Sequence, residues 1–352
     1  MGRAGRVFLK EIPSNILTLL SIKISTINKS GIYVIPVNGI NELGGSFVTT
    51  KTNTVEIEKK KRFKINSDYL WGYFFIAVAI IVFCVFTLYP VISAFFISFQ
   101  QFKPLGSTWV GLQNYLDLLK DSLFAKAIGN TVIYTICSVP VSLILSFTIA
   151  VLIFPLKKWL QTAFKAVYYL PAVASGVAMS VVWLWIYDPL PSGLMNQVVS
   201  FFGIPNQNWL GSSKTSMLSL LIMTWLSSHG TSIIIFIAAL LGIPDSYFEA
   251  ADLDGATFLK KLRYIVIPML KPTILFLLVT GIIGSFQVFM NAYMMTGGGP
   301  DNATTMVGLL IFNNAFKYFN YGTAAAQSLV LTAIIASISV VQFKLMGDDV
   351  EY

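Results

Sequence analysis

Charge is scarce in this chain. Asp, Glu, Lys and Arg make up 11% of its 352 residues, where a soluble domain carries roughly twice that share. A single histidine and two cysteines, Cys84 and Cys137, exclude a disulfide framework and a zinc site. Both cysteines lie inside long apolar stretches, where thiols behave as small hydrophobes. The lone histidine also excludes an HExxH motif, and no Ser–Lys or paired-Asp arrangement falls within an apolar run, so an intramembrane enzyme would have no machinery. Ser213-Lys214-Thr215 ends like a phosphate-binding loop, but a serine stands where glycine is required before the lysine. ATP chemistry therefore has to reside in another chain. No internal repeat is visible.

What is abundant is apolar surface. Hydrophobic residues make up 55% of the chain and the mean hydropathy is +0.72, which calls for lipid as the solvent. A helix crossing a hydrocarbon core of about 30 Å needs roughly 20 apolar residues. Six segments meet that test, near Leu70–Phe99, Ala127–Phe154, Val167–Tyr187, Ser216–Leu241, Thr273–Met295 and Thr323–Phe343, and none contains Asp, Glu, Lys or Arg. The expected fold is an all-α integral membrane protein with six transmembrane helices. Pro90, Pro140 and Pro171 fall inside or at the start of spans, where neighbouring helices can satisfy the freed backbone groups. Trp71, Trp183, Trp185, Tyr89 and Tyr187 sit toward span ends, as an aromatic belt would.

The formal net charge is +8, but it is confined to short hydrophilic segments rather than spread over a folded basic face, so no nucleic-acid partner is expected. Lys59-Lys60-Lys61-Arg62 lies just before the first span. Lys157, Lys158, Lys165, Lys260, Lys261, Arg263, Lys271 and Lys344 fall on the same side as that cluster. This bias predicts that both termini are cytoplasmic. Residues 1–67 read as a mostly disordered cytoplasmic extension, 68–346 as the six-helix domain and 347–352 as a cytoplasmic tail. Ile16–Leu20, behind Arg3, Arg6 and Lys10, loosely resembles a signal peptide but has no convincing cleavage site after it.

The longest loop predicted on the cytoplasmic side, 243–271, carries the most specific pattern. Ser246 and Glu249 are spaced as a capping box, so a helix should begin here. Ala250, Ala251 and Leu253 continue it, and Gly255 can adopt positive φ and end it. A second helical stretch, Thr257–Ile267, should lead to Pro268 and Pro272 at the entry to the fifth span. The small alanines would let another surface approach closely.

Glu249-Ala250-Ala251, three residues, Gly255, nine residues, Ile265, one residue, Ile267-Pro268 resembles the EAA motif of ABC importer permeases, with isoleucine where leucine usually precedes the proline. Val110-Gly-Leu-Gln-Asn-Tyr115, Asn130-Thr131, Tyr169-Leu170-Pro171, Trp183-Leu-Trp-Ile-Tyr187, Gly193-Leu-Met-Asn196 and Thr296-Gly-Gly-Gly-Pro300 with Thr304-Thr305 resemble the carbohydrate-uptake branch, of maltose and glycerol-3-phosphate permease (MalF-like) type. The resemblance covers about 68–345. It implies the type I ABC importer permease fold, both termini inside, in a bacterial cytoplasmic membrane. It implies that Glu249, Ala250, Ala251, Asp252, Gly255 and Ala256 form a coupling helix against an ATP-hydrolysing subunit. The implied partners are a second permease, two ATP-binding subunits that hold ATP and Mg, and an extracytoplasmic solute-binding protein that delivers a sugar. No cofactor is expected in this chain, and no catalytic residue or metal ligand.

A sugar pathway needs hydroxyl-matching groups. Gly281, Gly284, Ser285 and Val288, at i, i+3, i+4 and i+7, form one helix face, with Gln287 and Asn291 beside it. In the family that face lines the cavity in mid-membrane; small residues there would equally permit close helix packing. The fourth span adds Ser227, Ser228, His229 and Thr231 as candidates, His229 reading more readily as a structural group. Trp183 and Tyr187 suit interface anchoring better than stacking on a sugar. The alternative is an ion-coupled secondary transporter, for which His229 is the one titratable group inside a span.

Overall fold

The computed structural model describes residues 67–103, 106–227 and 229–346. The extension expected over 1–67, apart from its last residue, lies outside the described residues, as do the tail 347–352 and the candidate Ser228.

The chain divides into two units, Met1–Val82 and Phe83–Tyr352. The described part of the first is helix α1, Ser67–Phe83, whose side chains are exposed aromatics and aliphatics from Trp71 to Phe83. Such a surface is stable only against lipid or protein.

Among its described residues, the regular structure of the second unit is helical apart from one hairpin. A π turn, Cys84–Leu88, leads to α2, Tyr89–Ile97. β1, Gln100–Lys103, pairs antiparallel with β2, Gly106–Trp109, Gln100 facing Trp109. α3, Gln113–Lys120, is followed by α4, Ser122–Ile153, which starts where the Asp121 carboxylate accepts from Leu123 N at 2.8 Å. α4 is the axle of the fold. It packs against α8 (Ser216–Ser227), α9 (Gly230–Leu241), α13 (Lys271–Phe286) and α15 (Val307–Phe312). The last helix, α16 (Tyr321–Met346), lies along α13, α15, α2 and α3. Between these run α5 (Lys158–Val173), α6 (Gly176–Ile186), α7 (Leu194–Phe201), α10 (Asp245–Leu253), α11 (Phe258–Lys261), α12 (Ile267–Met269) and α14 (Met290–Met295).

Among the described residues, three helices are long and apolar enough to cross a membrane: Trp71–Ile97, Ser122–Ile153 and Tyr321–Lys344. Three further pairs pass that test only as bent units: α5 with α6, α8 with α9, and the Phe258–Met269 stretch with α13. The apolar segments Val167–Tyr187 and Thr273–Met295 are each interrupted. The first bends by 98° at Ala174–Ser175, where Pro171 supplies no N–H to the turn before it and Ser175 Oγ accepts from Ala178 N at 3.1 Å, starting a new helix. In the second, Gln287–Phe289 interrupts the helix. Phe289 leaves helical φ/ψ and packs its ring on Phe312, centroids 4.6 Å apart. The bend of 67° that precedes α13 falls at Leu270, ahead of Pro272.

Three asparagines from the quoted motifs tie loops to helices. Asn114 Nδ2 donates to the carbonyls of Ser98 and Gln100, at 2.7 and 3.0 Å. Asn130 Nδ2 donates to those of Asn302 and Thr305, at 2.8 and 3.0 Å. Asn196 Oδ1 accepts from Trp209 Nε1 at 2.8 Å. Thr296 and Thr304 meet at 2.6 Å, closing the glycine-rich loop between them. Each amide satisfies backbone groups that irregular chain would otherwise bury without partners.

Gly230 is required by close approach. A Cβ on Gly230, at the start of α9, would lie 2.6 Å from the Tyr168 carbonyl oxygen and 2.7 Å from Tyr169 Cα. Gly230→Ala is expected to destabilise by about 1–3 kcal/mol through overpacking, read as a lowered thermal midpoint in detergent. Gly129→Ala, with open space around its Cβ, is expected to leave the midpoint unchanged or raise it. Equal midpoints for the two variants would refute the close approach.

Candidate functional site

The breaks in three helical units surround one cavity of about 490 Å³. Tyr134, Ser138 and Ser142 reach it from α4, Ala174 and Gly176 from the α5–α6 bend, and Ser227 and Ser232 from the two sides of the α8–α9 break. α13 contributes Thr280, Gly281, Gly284 and Ser285, and the interruption after it brings in Val288 and Asn291. Val139, Leu143, Met179, Met223 and Leu277 fill the apolar part of the wall. None of the lining residues is Asp, Glu, Lys, Arg or His. Irregular backbone at membrane depth is tolerated where it lines a cavity, which is where these breaks sit.

The wall's hydroxyls divide into two groups. Thr224 Oγ1 gives its proton to the Leu220 carbonyl at 3.0 Å, so Tyr134 Oη donates to Thr224 Oγ1 at 2.7 Å. Ser285 Oγ is 2.9 Å from both Thr135 Oγ1 and the Ile282 carbonyl oxygen. Ser138 and Ser142 are different: both hydroxyls are buried and neither has a protein partner. They stand four residues apart on α4, flanking Pro140, and both residues border the cavity. A buried hydroxyl without a partner costs about 1–3 kcal/mol.

Of the sequence candidates, Gly281, Gly284, Ser285, Val288 and Asn291 all line the cavity, although Val288 and Asn291 lie beyond the end of α13. Gln287 does not. It caps α13 and is exposed, because the chain turns there instead of continuing the helix. Thr231 is also exposed and off the wall, and its neighbour Ser232 takes the lining position. His229 is 3% exposed. Its Nε2 contacts the Trp225 carbonyl, so that nitrogen carries the proton, and Nδ1 accepts from Ser146 Oγ at 2.9 Å. Both ring nitrogens are used structurally. Trp183 and Tyr187 are corrected from interface anchors to core. Trp183 Nε1 donates to Ser227 Oγ at 2.8 Å, Tyr187 Oη donates to the Ser219 carbonyl at 2.9 Å, and both rings are buried. Trp71, Trp185 and Tyr89 remain exposed. Tyr134, Ser138 and Ser142 escaped the sequence reading, although their spacing of four and four is a polar stripe on an apolar helix.

The second site is α10. It begins after Pro244, two residues earlier than a Ser246 cap would require, and without any side-chain cap. The expected Ser246–Glu249 capping box is absent, since Pro244 already fixes an extended φ/ψ at the N-cap. Its end matches expectation. Gly255 has φ +66°, Ala256 N–H donates to the Ala251 carbonyl at 2.8 Å, and Gly255 N–H donates to that of Asp252 at 3.1 Å, the paired bonds of a Schellman motif. Asp252 forms an ion pair with Lys261 of α11. Glu249, Ala250, Asp252 and Gly255 are exposed, Ala251 and Ala256 half-buried, and Leu253 is 91% exposed. Ile243 and Phe248 pack this region onto the cluster around Phe236, Leu240 and Leu270.

Apolar bent helices around a neutral cavity, with an exposed helix held on the outside, define a membrane transport component. The chain belongs to the family of binding-protein-dependent transport system inner membrane components, whose model matches residues 124–346. It is 32% identical over 277 residues to the arabinooligosaccharides transport system permease protein AraP of Bacillus subtilis, covering 78% of this chain and 88% of that protein. It is 33% identical over 288 residues to the multiple sugar-binding transport system permease protein MsmF of Streptococcus mutans, covering 80% and 97%. Its fold is similar to a chain in the crystal structure of a bacterial ABC transporter that imports the acidic polysaccharide alginate. The TM-score is 0.73 at 22% identity, over 82% of this chain and 98% of that one.

In the ligand-free protein, Ser138→Ala and Ser142→Ala are expected to leave unfolding stability unchanged or raised, because each removes an unpartnered buried hydroxyl. His229→Ala strands Ser146 Oγ and is expected to cost about 1–3 kcal/mol. Thermal unfolding of the three variants in one detergent checks both, and a large loss at Ser138 would mean that its hydroxyl is already satisfied within the protein.

Proposed function

We propose that this chain is one of two different permease subunits that together form the translocation pathway for a carbohydrate in an ATP-driven importer of a bacterial cytoplasmic membrane. On this reading residues 68–346 cross the membrane six times, with both termini inside. Two ATP-binding subunits hold ATP and Mg, and an extracytoplasmic solute-binding protein delivers the sugar. The relatives AraP, an arabinooligosaccharides transport system permease protein, and MsmF, a multiple sugar-binding transport system permease protein, support the substrate class, and the lysine and arginine asymmetry supports the orientation.

The observation that carries the reading is the neutral cavity with two unpartnered serine hydroxyls. Ser138, Ser142, Ser285 and Asn291 offer donors and acceptors to sugar hydroxyls, while Val139, Met179 and Met223 meet the apolar ring face. Gly281 and Gly284 leave the α13 side of the cavity open. α10 is the coupling helix. Glu249, Ala250, Ala251 and Asp252 present a face for the ATP-hydrolysing subunit, and Gly255 with Ala256 fixes the helix end. ATP-driven closure of that partner would move α10 as a rigid element and turn the cavity outward, a rigid-body switch.

The test is ATP-dependent sugar uptake by the assembled transporter in liposomes. Ser138→Ala with Ser142→Ala is expected to lower uptake at limiting sugar by about tenfold, the loss of about 1.4 kcal/mol of sugar binding, with assembly intact. Glu249→Lys and Ala251→Trp are expected to lower uptake by at least about tenfold while ATP hydrolysis no longer responds to the binding protein. Unaltered coupled uptake in the Glu249 and Ala251 variants would sink the coupling assignment. Uptake that survives ATP removal and collapses with the proton gradient would replace the reading with an ion-coupled one.

A further inference from the structure

The segment between α6 and α8 is not used by the transport reading. From Pro189 to Ser213 it contains no Asp, Glu, Lys, Arg or His, an unusual composition for a connection facing water. It is also rigidly held. Asn196 is fully buried and its Nδ2 lies 3.1–3.3 Å from the carbonyl oxygens of Asp188, Pro189, Leu190 and Gln207. Its Oδ1 accepts from Gln207 N and Trp209 Nε1, at 3.0 and 2.8 Å.

Held from below by Asn196, α7 turns an apolar face outward. Leu194, Val198, Phe201 and Phe202 stand at i, i+4, i+7 and i+8. Phe201 is 87% exposed and Phe202 72%. Water is a poor occupant for such a face. The face is continuous in sequence with the exposed side of α6, the second half of the bent apolar pair α5–α6, where Val181, Val182 and Trp185 are exposed. Trp185 is an interfacial residue by type and lies at that helix's last turn, which sets α7 at headgroup depth.

We propose that α7 is an interfacial helix, lying flat at the headgroup–acyl boundary of the leaflet at the C-terminal end of α6, with Val198, Phe201 and Phe202 in the acyl region. The occupant of the apolar face is phospholipid. Ser200, on the other side of α7 from Phe202, faces the aqueous headgroup zone. α7 then acts as a float. Through Asn196 it fixes the depth of the C-terminal end of α6, whose N-terminal residue Gly176 borders the cavity.

The experiment places single spin labels at Val198→Cys, Phe201→Cys, Phe202→Cys and Ser200→Cys, in a chain with Cys84 and Cys137 replaced by alanine. The assembled transporter is reconstituted in phosphatidylethanolamine–phosphatidylglycerol liposomes, and collision rates with oxygen and with a nickel chelate are compared. Labels at 198, 201 and 202 are expected to favour oxygen over nickel by several-fold, and the label at 200 to favour nickel. Higher nickel than oxygen collision at 201 and 202 would overturn the proposal in favour of a water-facing loop. Protection from both reagents would overturn it in favour of a protein neighbour. Either of Phe201 and Phe202 reads the same face should the other variant fail to assemble, and the readout does not depend on which solute is transported.

Discussion

In hydrocarbon, a backbone N–H or C=O without a partner costs several kcal/mol, and no solvent is present to repair it. The rest of this structure follows from that constraint. Long helices such as Ser122–Ile153 satisfy it internally. Where a helix stops short, at Ala174–Ser175, at the α8–α9 break and at Gln287–Phe289, the exposed ends gather around one polar-lined space. Serines and threonines from neighbouring helices stand beside those ends. The cavity is where this fold can afford irregular backbone. Among its hydroxyls, those of Thr224, Thr280 and Ser285 reach carbonyls of their own helices, whereas Ser138 and Ser142 have no protein partner.

The same constraint explains the asparagines. Asn114, Asn130 and Asn196 each sit where a loop returns to a helix end, and each binds carbonyls that the loop leaves without a ladder. These motif residues are internal staples. His229 has the same character: its two nitrogens hold Ser146 and the Trp225 carbonyl beside a helix break. The polar residues of this protein therefore sort by whether their hydrogen bonds are already closed, and residue type alone does not sort them.

Much of the architecture was legible because lipid solvation writes long apolar runs, and because Gly255 and the spacing around it encode a helix end through backbone sterics. The face Gly281, Gly284, Ser285, Val288 and Asn291 was legible as well, though through helical spacing that stops at Phe286; a turn happens to keep the last two residues on the same wall. The bend at Ala174–Ser175 was not legible, since neither residue is a strong breaker and the decisive contribution is Ser175 Oγ capping Ala178. The early start of α10 was missed because Pro244 outcompetes a Ser–Glu spacing that a capping box would share. Trp183 and Tyr187 were misplaced because aromatic residues near a span end read as belt until their N–H and O–H are seen to find partners inside. Ser138 and Ser142 were passed over because serine in an apolar helix ordinarily returns its proton to its own backbone, as Thr131 does to Ala127 at 2.8 Å.

The neutrality of the cavity wall bears on energetics at the scale of the whole membrane. Each elementary charge carried through a potential of 100 mV exchanges about 2.3 kcal/mol with the field. A wall built from hydroxyls, an amide and methyl groups carries no charge of its own, so on the proposed reading its movement around a neutral sugar would do no electrical work. On that reading the transporter would be indifferent to membrane voltage and would take its direction from the subunit proposed to dock on α10.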